Sequence, residues 1–238
     1  MLDPERIQEL EKLQKTLDYR FGDLNLLNKS LTHKSFVNET ASPLKNNERF
    51  EFLGDSVLDL IVSDYLIGSF TDFSEGKLSK IRAAVVNETC LAGLARKLNL
   101  GRFLLLGKGE EQSGGRDKSS LLANAYEALT GAVYLDGGLG EVKRVFLGGL
   151  KQEIRQRVDS RGIQDFKSEL QEYTQTHLNC IPAYRVVAEH GPDHEKTFEV
   201  ELLIQNKAQG RGVGRNKKEA EQAAARQTLE TLRPEQGA

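Results

Sequence analysis

The side chains of this 238-residue chain best suited to chemistry are acids and an amide gathered at two places. The first is NERFEFLGDSVLDL, residues 47–60. At about 100° per residue in an α-helix, Phe50, Leu53, Val57, Leu60 and Ile61 fall into one apolar stripe, while Glu48, Glu51 and Asp55 fall into a narrow sector across from it. Carboxylates on adjacent turns repel, so that sector is unfavourable unless something cationic sits among them. A divalent metal is one simple answer, and a solvated acidic face is the plainer one. Phe52 points away from the stripe, and a large ring left off the core can mark a partner surface.

The second place is LLANAYEALTGAVYL, residues 121–135, apolar nearly all round as a buried helix is. Asn124 and Glu127 stand three apart and therefore share a face. A carboxylate there is costly to bury unless it is paired with a buried Arg or Lys or bound to a metal. Docked against Glu51 and Asp55, the two would complete an all-oxygen cluster that suits Mg²⁺ or Mn²⁺ rather than zinc.

Other elements must bring these two stretches together. Pro4 to about Leu17 carries Ile7, Leu10, Leu13 and Leu17 at helical spacing behind an Asp3-Pro4 cap. Residues 24–36 repeat that spacing with Leu26, Leu27 and Leu31, and His33 within them is read as structural or surface rather than as a ligand. A polar connection with Pro43 then leads into the acidic helix. From Lys77 to Leu98 the pattern predicts two or more helices, with Glu75 at a helix start as a cap or a site acid. Residues 107–120, GKGEEQSGGRDKSS, read as a mobile loop and lack the spacing of a phosphate-cradling P-loop. Asp136-Gly137-Gly138 ends the buried helix, and a last amphipathic helix runs from Val142 to about Val158.

The pattern changes after residues 159–164, which read as a linker. A helix over Phe166 to His177, strands over 184–189, 197–204 and 208–213, and an Ala-rich helix over Lys217 to Leu232 make an α-β-β-β-α module of the α+β class. The chain is therefore multidomain: an all-α domain over 1–158 and the α+β module over 165–235. The formal net charge of −2 speaks against a generally basic nucleic-acid binder, so any such contact must be local. One local cluster exists: Lys207, Arg211, Arg215, Lys217 and Lys218 lie in a stretch without acids. Lys217 and Lys218 open a helix, whose free N–H groups already attract phosphate.

Hydrophobic content of 38% and charged content of 29% describe a globular protein. With no apolar run long enough to span a bilayer and no export signal at MLDPERIQEL, no membrane association and a cytoplasmic location are expected. Cys90 and Cys180 read as reduced structural thiols.

NERFEFLGDSVLDL, together with LTHKSF, SEGKLSKIRAAVVN and LLANAYEALTGAVYLDGG, resembles the signature of the ribonuclease III family. Residues 166–232, with LQEYTQ, IPAYRVV, GPDH and NKKEAEQAAA, are similar to a double-stranded-RNA-binding domain. The resemblance covers almost the whole chain. It implies a metal held by Glu51, position 124 and Glu127, with Asp55 and Glu127 catalytic. Glu48 and Glu75 would line the valley with an RNA-contacting or outer-metal role, and Phe52 would enter the partner subunit of a homodimer. Gln171, Glu172 and His194 would contact the minor groove of duplex RNA, and Lys217 and Lys218 its phosphates.

Further implied are Mg²⁺ as cofactor with Mn²⁺ able to substitute, no organic cofactor, and cleavage of double-stranded RNA to 5′-phosphate and 3′-hydroxyl ends. The implied task is processing of ribosomal-RNA precursors and of some messenger and transfer RNAs. One position departs from the pattern: Asn124 stands where the family commonly has Asp. An amide oxygen still ligates Mg²⁺ but brings no charge. The alternative reading is accordingly a regulator that binds duplex RNA without cutting it, weakened by Asn124.

Overall fold

The computed structural model describes residues 2–40, 44–159, 166–192 and 196–232, and the chain divides into two compact units, 1–161 and 162–238. The expected linker lies almost entirely outside the described residues.

The first unit is helical. Helix α1 spans Pro4–Leu17, started by an Asp3 carboxylate that accepts from the Arg6 N–H and by Pro4 in the first turn. The expected single helix over 24–36 is two, α2 over Leu24–Ser30 and α3 over Lys34–Thr40. Backbone pairing breaks it: the Leu105 N–H donates to the Leu31 carbonyl and the His33 N–H to the Leu105 carbonyl, forming an isolated parallel bridge. Helices α4 (Glu48–Ser69), α5 (Glu75–Val85) and α6 (Glu88–Lys97) follow.

The glycine-rich stretch 107–120 is not the loop its composition suggests. It holds a short helix α7, Lys108–Gln112, and a 3₁₀ turn. One Arg116 nitrogen donates to the carbonyls of Gly101, Arg102 and Leu104, and another nitrogen donates to Glu111. The Glu39 carboxylate meanwhile caps α7 by accepting from the N–H groups of Lys108 and Gly109.

Helix α8, Ser119–Asp159, is kinked at Gly138, whose φ of 76° is open to glycine and costly to other residues. The kink folds the helix back on itself, so Tyr126 meets Phe146 edge to face with ring centres 5.3 Å apart. Asp136, just before it, accepts hydrogen bonds from the Tyr19 hydroxyl and from the N–H groups of Gly22 and Asp23. The α1–α2 connection is thereby tied to α8.

Helices α4 and α8 form the most extensive contact of this unit, and they touch backbone to backbone. A methyl group at Gly54 would run into the Glu127 carbonyl, and one at Gly131 into the Phe50 carbonyl. Leu58, Ile61, Val62, Ala125, Leu129 and Val133 are fully buried around the crossing.

The second unit is an antiparallel sheet β1 (Ala183–His190), β2 (Thr197–Ile204), β3 (Lys207–Gly214) in sequential order, with α9 (Phe166–Leu178) and α10 (Lys217–Leu232) packed on it. Its core joins Leu170, Leu202, Ile204, Ala224, Ala225 and Leu229. Gly210, Gly212 and Gly214 alternate along β3 on the side facing α10, where added methyl groups would meet Thr228 and the backbone of Ala224 and Ala220. On the other side Glu201 pairs with Arg185 at 2.6 Å and Arg211 at 3.1 Å.

Candidate active site

Asn124 and Glu127 form the partly exposed edge of a segment whose neighbours Leu122, Ala123, Ala125, Tyr126, Ala128 and Leu129 are buried. The α4–α8 crossing carries this edge to the carboxylates of α4. Glycine inside a helix costs about 1 kcal/mol relative to alanine, so Gly54 and Gly131 within strongly helical runs were the sequence signal for so close an approach, and it was missed.

Four of the predicted side chains act on one another there. Burial raises the Glu51 carboxyl above the usual range, and the charges of Glu48 and Asp55 add to the rise. Lys34 and a hydrogen bond from the Asn124 side chain oppose it. Glu127 is pushed up to about 7, first by burial and then by Asp55 and Glu51, and no basic residue figures among these causes. The pairing of Glu127 with a buried Arg or Lys, the structural alternative, is therefore not found among the described residues.

Among the described residues no three Asp, Glu, His or Cys side chains form a group that could by itself hold a metal ion. A set of oxygen donors in mutual repulsion, with an amide as its fourth member, fits a hard divalent cation.

The other predicted residues lie as follows. Glu48 opens α4, accepts from the Asn46 amide at 3.0 Å and pairs with Lys34 at 3.2 Å. Glu75 opens α5, accepts from the Ser79 hydroxyl at 2.7 Å, and does not figure among the groups acting on Glu51 or Glu127. Phe52 is 79% exposed, and Leu60 at 53% and Ile67 at 66% lie along the same side of α4. His33 is a structural residue: its Nδ1 shares a hydrogen bond with the Ser35 hydroxyl, and burial lowers its pKa.

In the second unit Gln171 and Glu172 are exposed on α9. Lys217 and Lys218 are exposed at the start of α10. Asn216 caps that start: the Glu219 N–H donates to the Asn216 side-chain oxygen, and the Glu219 carboxylate accepts from the Asn216 side-chain amide and from the Arg215 N–H. The Lys217 ammonium also stands 5.7 Å from the Phe198 ring centre. His194 lies outside the described residues.

A helical unit with carboxylates on two crossing helices, followed by an α-β-β-β-α unit with lysines at a helix start, is the arrangement that the resemblance to ribonuclease III implies. Comparison agrees: residues 23–154 match the family described as Ribonuclease-III-like, and residues 166–232 match the double-stranded RNA binding motif. The chain belongs to the ribonuclease III family.

It is 46% identical over 228 residues to the Ribonuclease 3 of Syntrophobacter fumaroxidans, covering 94% of each chain. It is likewise 46% identical over 230 residues to the Ribonuclease 3 of Geobacter metallireducens, covering 95% of this chain and 94% of that one. A solved nuclease domain of ribonuclease III from Campylobacter jejuni, described for structural flexibility in a region involved in dimer formation, is 47% identical with a TM-score of 0.57. That match covers 60% of this chain and 97% of that one. No helix among the described residues is long and apolar enough to cross a membrane.

Proposed function

We propose that this chain, as a homodimer, hydrolyses phosphodiesters in double-stranded RNA with Mg²⁺ or Mn²⁺ held by Glu51, Asn124 and Glu127, leaving 5′-phosphate and 3′-hydroxyl ends. The observation that carries the reading is the mutual influence of Glu51, Asp55 and Glu127 beside the Asn124 amide, on two helices that touch at glycines. When bound, such an ion supplies positive charge to the scissile phosphate and makes an attached water more acidic.

The residues do the rest. Glu127, pushed up to about 7 by burial, would release a proton to solvent on taking its place as a ligand. Asp55, exposed at the edge of the cluster, would orient the attacking water or a second ion. Glu48 and Glu75 meet the RNA or the outer shell of the ion. Phe52, with Leu60 and Ile67, seats against a second subunit, which supplies the second cluster needed to cut both strands.

In the second unit Gln171, Glu172 and His194 reach 2′-hydroxyls and base edges in the minor groove, and Lys217 and Lys218 bind phosphates across the adjoining major groove. That division suits A-form RNA, which is read by shape more than by base edges. We assign the catalytic domain to 1–158, a linker to 159–164 and the RNA-binding domain to 165–235. The cellular task is cytoplasmic processing of ribosomal-RNA precursors and of some messenger and transfer RNAs.

The test is purified protein mixed with end-labelled duplex RNA and Mg²⁺ or Mn²⁺. Short duplex products with 5′-phosphates are expected. RNA that is shifted on a native gel yet stays whole would instead favour the non-cutting regulator, with Asn124 as the cause.

A further inference from the structure

Lys34 was not singled out by its sequence, yet the fold holds it against the acidic valley. The Asn47 N–H donates to the Thr32 carbonyl at 2.9 Å, and the Asn47 side chain reaches the Ser30 carbonyl at 3.2 Å. These bonds lock the entry to α4 beside the entry to α3, whose first residue is Lys34. Helix α3 is held from its far side as well. The Ser35 hydroxyl accepts from the Gly107 N–H at 2.9 Å, and Glu39 caps α7.

The backbone under Lys34 is thus fixed while its head stays free to move. Its side chain is 58% exposed and pairs at 3.2 Å with a Glu48 side chain that is 53% exposed. Lys34 is also a base whose charge acts on Glu51, against the acids Glu48 and Asp55. An ion pair this exposed is weak, so it is readily exchanged. The Lys34 charge sits on a flexible stem that can swing from one partner to another.

We infer that Lys34 is a substrate-contacting residue of the cleavage site: its ammonium is the resident counter-ion of Glu48, one turn from Glu51, and it turns to a non-bridging phosphate oxygen when a divalent ion takes the charge of that acidic face. The inference rests on the reaction proposed above. An acid-lined valley repels the RNA backbone, and a lysine at its rim offers charge of the opposite sign to the strand that must enter.

The experiment compares wild type, Lys34→Gln and Lys34→Arg, each checked for an unaltered unfolding midpoint. Calorimetric titration of the RNA-free proteins with Mn²⁺ is expected to show tighter binding in Lys34→Gln by about five-fold, the size of one unit charge acting through water at roughly 4 Å. Cleavage of a duplex in saturating Mg²⁺ is expected to show a KM raised several-fold at nearly constant kcat. The slope of log kcat/KM against log salt should also be shallower by about one. Lys34→Arg should restore both.

Unchanged or weaker Mn²⁺ binding in Lys34→Gln overturns the counter-ion role, and an unchanged KM overturns the phosphate contact. A wild-type protein that leaves the duplex whole overturns the reaction instead, and the Mn²⁺ titration still decides the counter-ion role.

Discussion

The Asn124 side chain on α8 lies near enough to the Glu51 carboxylate on α4 to oppose the rise that burial imposes on it, across the crossing of the two helices. An amide at this point both steadies a ligand and spares the cluster one negative charge. Asn124→Asp exchanges that donor for a further acid. Its metal-free form should melt earlier than wild type near pH 8, while its Mg²⁺ affinity should rise roughly ten-fold, equal to about 1.4 kcal/mol. Differential scanning calorimetry with metal titration reads both, and a variant with weaker Mg²⁺ binding would remove position 124 from the ligand set.

Glu127 gives the metal-free protein a pH dependence of definite sign. Its folded pKa of about 7 lies above its ordinary 4.5, so between those values the folded state holds the extra proton. Stability is therefore lost as pH rises from about 4.5 through 7. Glu127→Gln should flatten this part of the profile, and Mg²⁺ should restore wild-type stability most strongly above pH 7. The same substitution should lower kcat on duplex RNA at least ~1,000-fold, the several kcal/mol that a metal-stabilised transition state provides. Its RNA affinity should change little, and denaturation series from pH 5 to 8 with gel shifts report each quantity.

The glycine crossing sets the spacing of the site. Gly131→Ala puts a methyl group into the Phe50 carbonyl and should cost about 2–3 kcal/mol as the helices separate. Gly148→Ala, on the same helix with open space around it, is the control and should be neutral or slightly stabilising. Urea unfolding of the two variants settles whether contact at the crossing, rather than glycine as such, is what matters.

Phe52 lies exposed with Leu60 and Ile67 on α4, the surface proposed to seat against a second subunit. Phe52→Ser should weaken self-association by at least ~30-fold, the worth of a 2 kcal/mol interface anchor. Analytical ultracentrifugation over a concentration series checks this, and an unshifted equilibrium would place the dimer surface elsewhere.

Much of this was legible in the chain because the informative relations are local. Helices α1 and α10 begin and end where their caps and apolar spacing put them, and Glu51, Asp55, Asn124 and Glu127 share faces by spacing alone. Relations between distant residues were not legible. The break at Thr32 depends on a bridge to Leu105, and the order in 107–120 depends on Arg116 finding three carbonyls. Lys34 acquires meaning only once Asn47 is pinned beside it.

The bare inner side of β3 has a consequence for how the RNA-binding unit can diversify. Gly210, Gly212 and Gly214 seat α10 at main-chain distance, while Arg211 and Val213 project to the opposite side. Lys217 and Lys218 therefore keep their station whatever those two outer positions become. The proposed grip on the duplex is thereby separated from the sheet's outer surface, where Arg211 pairs with Glu199 and Glu201.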